Sequence, residues 1–290
     1  MSLINTNKHI VIIAYSLAEF QTALKNQVSS ETNVGLVPTM GALHEGHASL
    51  VRTAKKNSDF VIVTIFVNPT QFNNQEDLSN YPKTEEEDIA ILKMLACDLV
   101  FFPRISDVYP HDYNFPGINL GFLDQTMEGE LRPGHFQGVC QVVYRLFQLT
   151  KPNKAYFGLK DFQQVSVIRF MANHFQLPIE IIPCETSRDE NGLALSSRNL
   201  RLSEAQKKDA LILYKTLVEG QKNSSSMPPS HVKLIAEESI QKSALRLEYV
   251  EIVNPNTLEN LKNEWCFNAR MCIVAYAGEV RLIDNMEIKE

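Results

Sequence analysis

Through its first two thirds the chain alternates short apolar, β-branched runs with stretches of helical periodicity, and no other feature restricts its fold as much. "IVII" (10–13) leads into a helical pattern ending near Gln27, "VGLV" (34–37) into "EGHASLVRTAKK", and "DFVIVTIFV" (59–67), after a loop, into "EEEDIAILKMLA". "DLVFF" then precedes "GVCQVVYRLFQL", "KAYFG" precedes "DFQQVSVIRFMANHF", and "IEIIP" (179–183) closes the series. Runs without polar alternation are strands buried on both faces, and helices between them require right-handed crossovers in a parallel sheet. The expected fold class is α/β, a Rossmann-like doubly wound parallel sheet.

After Pro183 the rhythm changes. A helix opens at Ser203, whose capping box with Gln206 marks the start, and is expected to end around Gly220. "NSSSMPPS" (223–230) is a loop by composition, followed by a helix from about His231. The strands "LEYVEIV", "ARMCIVAY" and "EVRLID" follow, the last two joined through Ala277 and Gly278 as a hairpin. The expected division is a large domain over 1–185 and a smaller α+β domain over 186–290.

A net charge of -6 argues against a nucleic-acid backbone binder, because phosphate neutralisation needs a basic surface. No run of about eighteen apolar residues exists to span a membrane, and "KHIVIIAY" is too short for a signal segment and runs into a helix capped by Ser16 and Glu19. Five scattered cysteines with no CxxC spacing fit reduced thiols in a cytoplasm. The acidic run Glu85 to Asp88 reads as the solvated first turn of a helix.

Chemistry concentrates in "LVPTMGALHEGHASLV" (36–51). Its histidines, His44 and His47, stand at i and i+3 with a glycine between, whereas the zinc-hydrolase motif HExxH needs i and i+4 on one helix face. No protein-held metal is therefore expected, although a zinc hydrolase stays open as a rival reading. The stretch joins a strand end to a helix start, where a doubly wound sheet binds ligands and where helix N–H groups favour anions. Gly41 and Gly46 allow close backbone approach, and two imidazoles can donate to phosphate oxygens. There is no GxxxxGK[ST] and no GxGxxG, so a nucleotide bound here would not use a P-loop.

Three more junctions are polar. "FVNPTQF" (66–72) is either a plain Asn-Pro turn or a site carrying Gln71. "FGLKDFQQ" (157–164) puts Lys160 at a strand end, with Asp161 as either a helix cap or a site residue. "RDENGLALSSRN" (188–199) is either a solvated linker or a loop closing Ser196, Ser197 and Arg198 over a polyphosphate. "LRPGHFQG" (131–138) reads as a surface loop, a lid or a turn.

Together "VPTMGALHEGH", "TIFVNPTQF", "YPKTEEED", "RPGHFQGV", "FGLKDFQQ", "GLALSSRN" and "EYVEIVNPNTLENL", in this order and at these distances, resemble the pantoate:β-alanine ligases (pantothenate synthetases) of the HIGH-type nucleotidyltransferase superfamily. The resemblance implies ATP-dependent condensation of pantoate with β-alanine to pantothenate, AMP and pyrophosphate through a pantoyl adenylate, with Mg2+ and in a cytoplasmic homodimer. Its partners would be small molecules, with neither nucleic acid nor membrane. The resemblance also assigns ATP contacts to Met40, Gly41, Ala42, Leu43, His44, Glu45, Gly46 and His47, to Gly158, Leu159, Lys160 and Asp161, and to Ser187, Leu195, Ser196, Ser197 and Arg198. His44, His47 and Lys160 would be catalytic, with His47 as proton donor, and Gln71 and Gln164 would bind pantoate and β-alanine. Lys83, where arginine is common, and Leu131, where a small polar residue is common, depart from the family pattern. A different nucleotidyl-transferring member of the superfamily and a non-catalytic nucleotide sensor also stay open.

Overall fold

The computed structural model describes residues 10–72 and 75–289; Lys8 and His9, which open "KHIVIIAY", lie outside them. Strands and helices alternate as β1 (Ile12–Ala14), α1 (Leu17–Gln27), β2 (Val34–Thr39), α2 (Glu45–Asn57), β3 (Phe60–Ile65), α3 (Glu85–Met94), β4 (Leu99–Phe101), α4 (His135–Thr150), β5 (Lys154–Gly158), α5 (Phe162–His174) and β6 (Glu180–Cys184). The six strands form one sheet in the order β1-β4-β3-β2-β5-β6, parallel at every pairing. Successive residues of a strand enter opposite cores. Leu36, Ile62, Leu99 and Phe157 pack with α1, α4 and α5, while Val37, Val61, Val63, Val100 and Tyr156 pack with α2 and α3. Both faces are covered by apolar clusters, which is why the sequence shows unbroken apolar runs.

The order reverses between β2 and β5, and Pro38 opens the crevice at that point. Asn153 N–H donates to Val34 O and Phe66 N–H to Thr39 O, so by alternation Val34, Leu36 and Pro38 face β5. Proline has no N–H to offer there. The β2/β5 ladder accordingly stops at Leu36 and Ala155, while β2/β3 continues to Thr39 and Ile65.

The remainder forms α6 (Glu204–Asn223), α7 (Pro229–Gln241) and the antiparallel strands β7 (Arg246–Val253), β8 (Ala269–Ala277) and β9 (Val280–Lys289) in the order β7-β8-β9, around a separate core. Three expectations are corrected. α6 runs three residues beyond Gly220, which is no C-cap: a Cβ there would meet Met271 Cε at 2.4 Å, so the glycine lets the helix close on β8. α7 starts earlier than His231, at Pro229, because proline suits the first helical position. The hairpin turns at Gly278 and Glu279 rather than Ala277, with Gly278 at φ +60 and Ala277 still paired to Val280.

Candidate active site

At the carboxyl ends of β2 and β5 lies a cavity of about 240 Å³. Its lining includes Met40, His44, Gly46, His47, Gln71, Gly158, Lys160, Asp161, Gln164, Ser187, Leu195, Ser196, Ser197 and Arg198, gathered from four separate stretches. Five residues assigned to ATP do not line it: Gly41, Ala42, Leu43, Glu45 and Leu159. The amides of Ala42 and Leu43 are taken by Asp88, at 3.1 and 2.7 Å, and Glu45 pairs outward with Arg52.

His44 is the N-cap of α2 and His47 its third residue, and the two rings form the capping box themselves. Gly46 N–H donates to His44 Nδ1 at 3.1 Å, and His44 N–H donates to His47 Nδ1 at 3.3 Å. An amide can only donate, so both Nδ1 atoms are acceptors and the hydrogen of each neutral ring sits on Nε2. Burial, then the charge of Lys160, pushes His44 down to about 4; burial, then His44, pushes His47 to about 3. The pair therefore presents two neutral Nε2–H donors at neutral pH. A metal held at Nε2 would need the proton on Nδ1, facing an amide hydrogen, and this argues against zinc at this pair. Gly46 is confined against the His44 ring: a Cβ would lie 2.7 Å from His44 Cε1.

Asp161 occupies the N-cap position of α5, but its carboxylate caps nothing there. It accepts from Lys160 Nζ at 3.2 Å instead. Burial works to raise its pKa, but Lys160, then Arg198 and Arg132, hold it below the ordinary carboxylate value. Across the seam, Ser187 meets α2 through Ser49, Oγ to Oγ at 2.9 Å, and Ser196 caps the short helical turn Ser197–Arg201 by accepting from Arg198 N–H. The 188–199 segment is an ordered wall, pinned by the bridge between Arg188 and Ala194, rather than a solvated linker.

Several site residues escaped sequence reading. Asp88, expected in a solvated turn, is 1% exposed and holds the loop ahead of His44 through the amides of Ala42 and Leu43. "LRPGHFQG" is no simple surface loop, since Arg132 and His135 line the cavity and His135 Nδ1 donates to Gln71 O at 2.8 Å. Burial, then Arg132, lowers His135 to about 4. Asn68 is 1% exposed, accepts from Tyr109 Oη at 2.9 Å and donates to Gln71 Oε1 at 3.2 Å, so the "NPTQF" turn and the site are the same structure. The signal available was the two basic residues flanking Pro133-Gly134 and the Asn-Pro dipeptide, and neither reveals burial. Lys83 and Leu131 are exposed.

A doubly wound sheet whose switch-point crevice carries neutral imidazole donors, a lysine and an arginine at one wall, and amides at another, is the frame of an enzyme acting on a phosphate-bearing co-substrate and a small polar acid. The Pantoate-beta-alanine ligase family model matches residues 12–287. A pantothenate synthetase of Bacteroides fragilis is 42% identical over 281 residues, covering 96% of this chain and 99% of the relative. The crystal structure of pantothenate synthetase from Thermus thermophilus superposes with a TM-score of 0.90 at 39% identity, covering 97% of this chain and 100% of that one. The pantoate-beta-alanine ligase of Francisella tularensis, complexed with beta-gamma ATP and beta-alanine, gives 0.79 at 38% identity, with 96% and 98% covered. The chain belongs to the pantoate-beta-alanine ligase family, and it is a ligase that forms the amide bond of pantothenate.

Proposed function

We propose that the switch-point cavity joins pantoate to β-alanine in two steps driven by one ATP, supplying a precursor of coenzyme A. The pantoate carboxylate attacks the α-phosphorus of ATP and pyrophosphate leaves. The β-alanine ammonium gives one proton to solvent and its nitrogen then attacks the acyl carbon of the pantoyl adenylate; the C–N bond forms, the C–O bond to AMP breaks, the nitrogen releases its second proton to solvent, and AMP departs. The observation that carries this reading is the pairing of walls in one cavity. His44, His47, Lys160 and Arg198 face it with hydrogen-bond donors suited to phosphates, and Gln71 and Gln164 with amides suited to a hydroxy acid. The ATP and β-alanine in the Francisella complex support it.

No step needs a protein nucleophile. His44 and His47 act through preorganised Nε2–H groups as negative charge moves onto the pyrophosphate, and His47, lowered to about 3, serves as a hydrogen-bond donor before it serves as a proton donor. Lys160 and Arg198 oppose the triphosphate charge, with Ser196, Ser197 and the Gly158 backbone around it. Among the described residues no cluster of three or more His, Cys, Asp or Glu could hold a metal by itself. The Asp161 carboxylate beside Lys160 still suits a Mg2+ that arrives on the nucleotide, since such ions take one or two carboxylates plus phosphate oxygens. When bound, the ion would neutralise charge on the leaving group.

The domain division at 185/186, the homodimeric state and a cytoplasmic location complete this reading; sedimentation and fractionation test the last two. Among the described residues no helix is long and apolar enough to cross a membrane. The central test is ATP–pyrophosphate exchange. Lys160→Ala and His47→Ala are expected to fold and to lose about a hundredfold or more in pantoate-dependent exchange, since one preorganised donor is worth roughly 2.7 to 4 kcal/mol of barrier. Near-normal exchange in either refutes the assigned role, and exchange that requires pantoate but not β-alanine establishes the order of steps.

A further inference from the structure

Among the described residues none beyond Arg198 lines the nucleotide cavity, yet the last strand of the C-terminal sheet holds two of its walls from behind. Asn285, on β9 and 5% exposed, donates from Nδ2 to Leu159 O and to Lys160 O, both at 2.9 Å, and accepts on Oδ1 from Arg270 Nη1 at 2.7 Å. The orientation of the amide is fixed by its partners, because carbonyls only accept and a guanidinium only donates. Arg270 is itself held by stacking over the Phe162 ring, 5.0 Å from its centroid. The preceding residue, Asp284, takes Arg188 in a bidentate pair at 2.6 and 2.9 Å, and Arg188 also reaches Asn285 O at 3.3 Å. Ser187 O in turn accepts from Leu195 N–H at 2.9 Å. A single dipeptide thus connects the Gly158–Asp161 segment to the Ser187–Arg198 segment.

We propose that Asn285 is a positioning residue for adenylate formation: its amide fixes the Leu159–Lys160 backbone and so aims the Lys160 ammonium from the other domain. The inference rests on the role given to Lys160 above. The backbone at this point passes from β5 through a three-residue 3-10 turn, Leu159–Asp161, into α5, with no side-chain cap at either Gly158 or Asp161. Asn285 adds a side-chain donor from β9 to two successive carbonyls of that turn. A group that must meet a transition state within a fraction of an ångström is sensitive to loss of such support.

The test is a double-mutant cycle read by pantoate-dependent pyrophosphate exchange, with thermal unfolding as the folding control. Asn285→Ala is expected to lower kcat at least about tenfold while KM for pantoate changes by no more than about twofold. Asn285→Asp, which keeps the acceptor for Arg270 and the side-chain shape but turns a carboxylate onto two carbonyls, should do the same, and carries the test where the alanine variant does not fold. In a Lys160→Ala background either substitution should cost about threefold or less, because its target is gone. Equal losses with and without Lys160, or full kcat in a folded Asn285 variant, would overturn the proposal. Normal exchange in Lys160→Ala alone would instead overturn the reading on which it rests.

Discussion

Gly138 offers the sharpest check on the pantoate wall. It lies in the first turns of α4, and a Cβ built there would stand 2.3 Å from Thr70 O, 2.6 Å from Thr70 C and 2.9 Å from Gln71 N. Ordinary contact between such atoms begins near 3.5 Å, so Gly138→Ala must drive the Thr70–Gln71 peptide away by roughly 1 Å. The helix cannot yield instead, since Phe136, Val139 and Cys140 around it are fully packed. His135 holds the next carbonyl, Gln71 O, and Asn68 the Gln71 side chain, so the displacement falls on Gln71. A misplacement of that size costs about a hundredfold in rate, or about 2.7 kcal/mol, and overpacking takes roughly 1–3 kcal/mol from stability. In pyrophosphate exchange, Gly138→Ala should therefore lose kcat/KM for pantoate by about that factor, with KM for ATP changed by no more than about threefold. A folded variant with unchanged kcat/KM for pantoate, or with ATP and pantoate affected alike, would refute the reasoning.

Gly158→Ala is the converse case: φ is -75 and nothing lies within 4 Å of the new Cβ, so stability should hold or rise by about 0.4–1 kcal/mol, while KM for ATP rises at least about fivefold if the nucleotide fills that space. The folded-state pKa values of His44, His47 and His135, about 4, 3 and 4, lie below the unfolded value of 6.5. The unfolded chain then binds more protons between these values, so stability is full above about pH 6.5 and is lost as pH falls toward 4, and urea unfolding of His47→Gln should show a shallower slope across that window. Arg281→Ala strips Glu128, 8% exposed, of its two 2.8 Å bonds and leaves it with Tyr249 and Arg132; a loss of about 3 kcal/mol in denaturant titrations is expected.

The sequence by itself determined the sheet. Unbroken apolar runs separated by helices permit little besides parallel strands buried on both faces, and each run became a strand. It also determined which short stretches could carry chemistry, because residues such as His44, Lys160 and Arg198 stand out by type where strands end. Local element ends were less legible: Gly220 has the signature of a helix stop, but its neighbour Met271 comes from β8, fifty-one residues on.

What only the tertiary structure decided was the state of each group. The histidines' tautomer follows from two amide donors, one of them on the partner histidine's own backbone, and their neutrality from burial that no spacing encodes. Asp88 looked like one of four solvated acids, and only the approach of the Ala42–Leu43 loop shows that it is a buried clamp. Asn285 is invisible as a site residue in the sequence, since the two carbonyls it holds, Leu159 O and Lys160 O, lie more than a hundred positions away. Periodicity is a property of neighbours along the chain, whereas desolvation and hydrogen-bond partnership depend on neighbours in space, and the second cannot be read from the first.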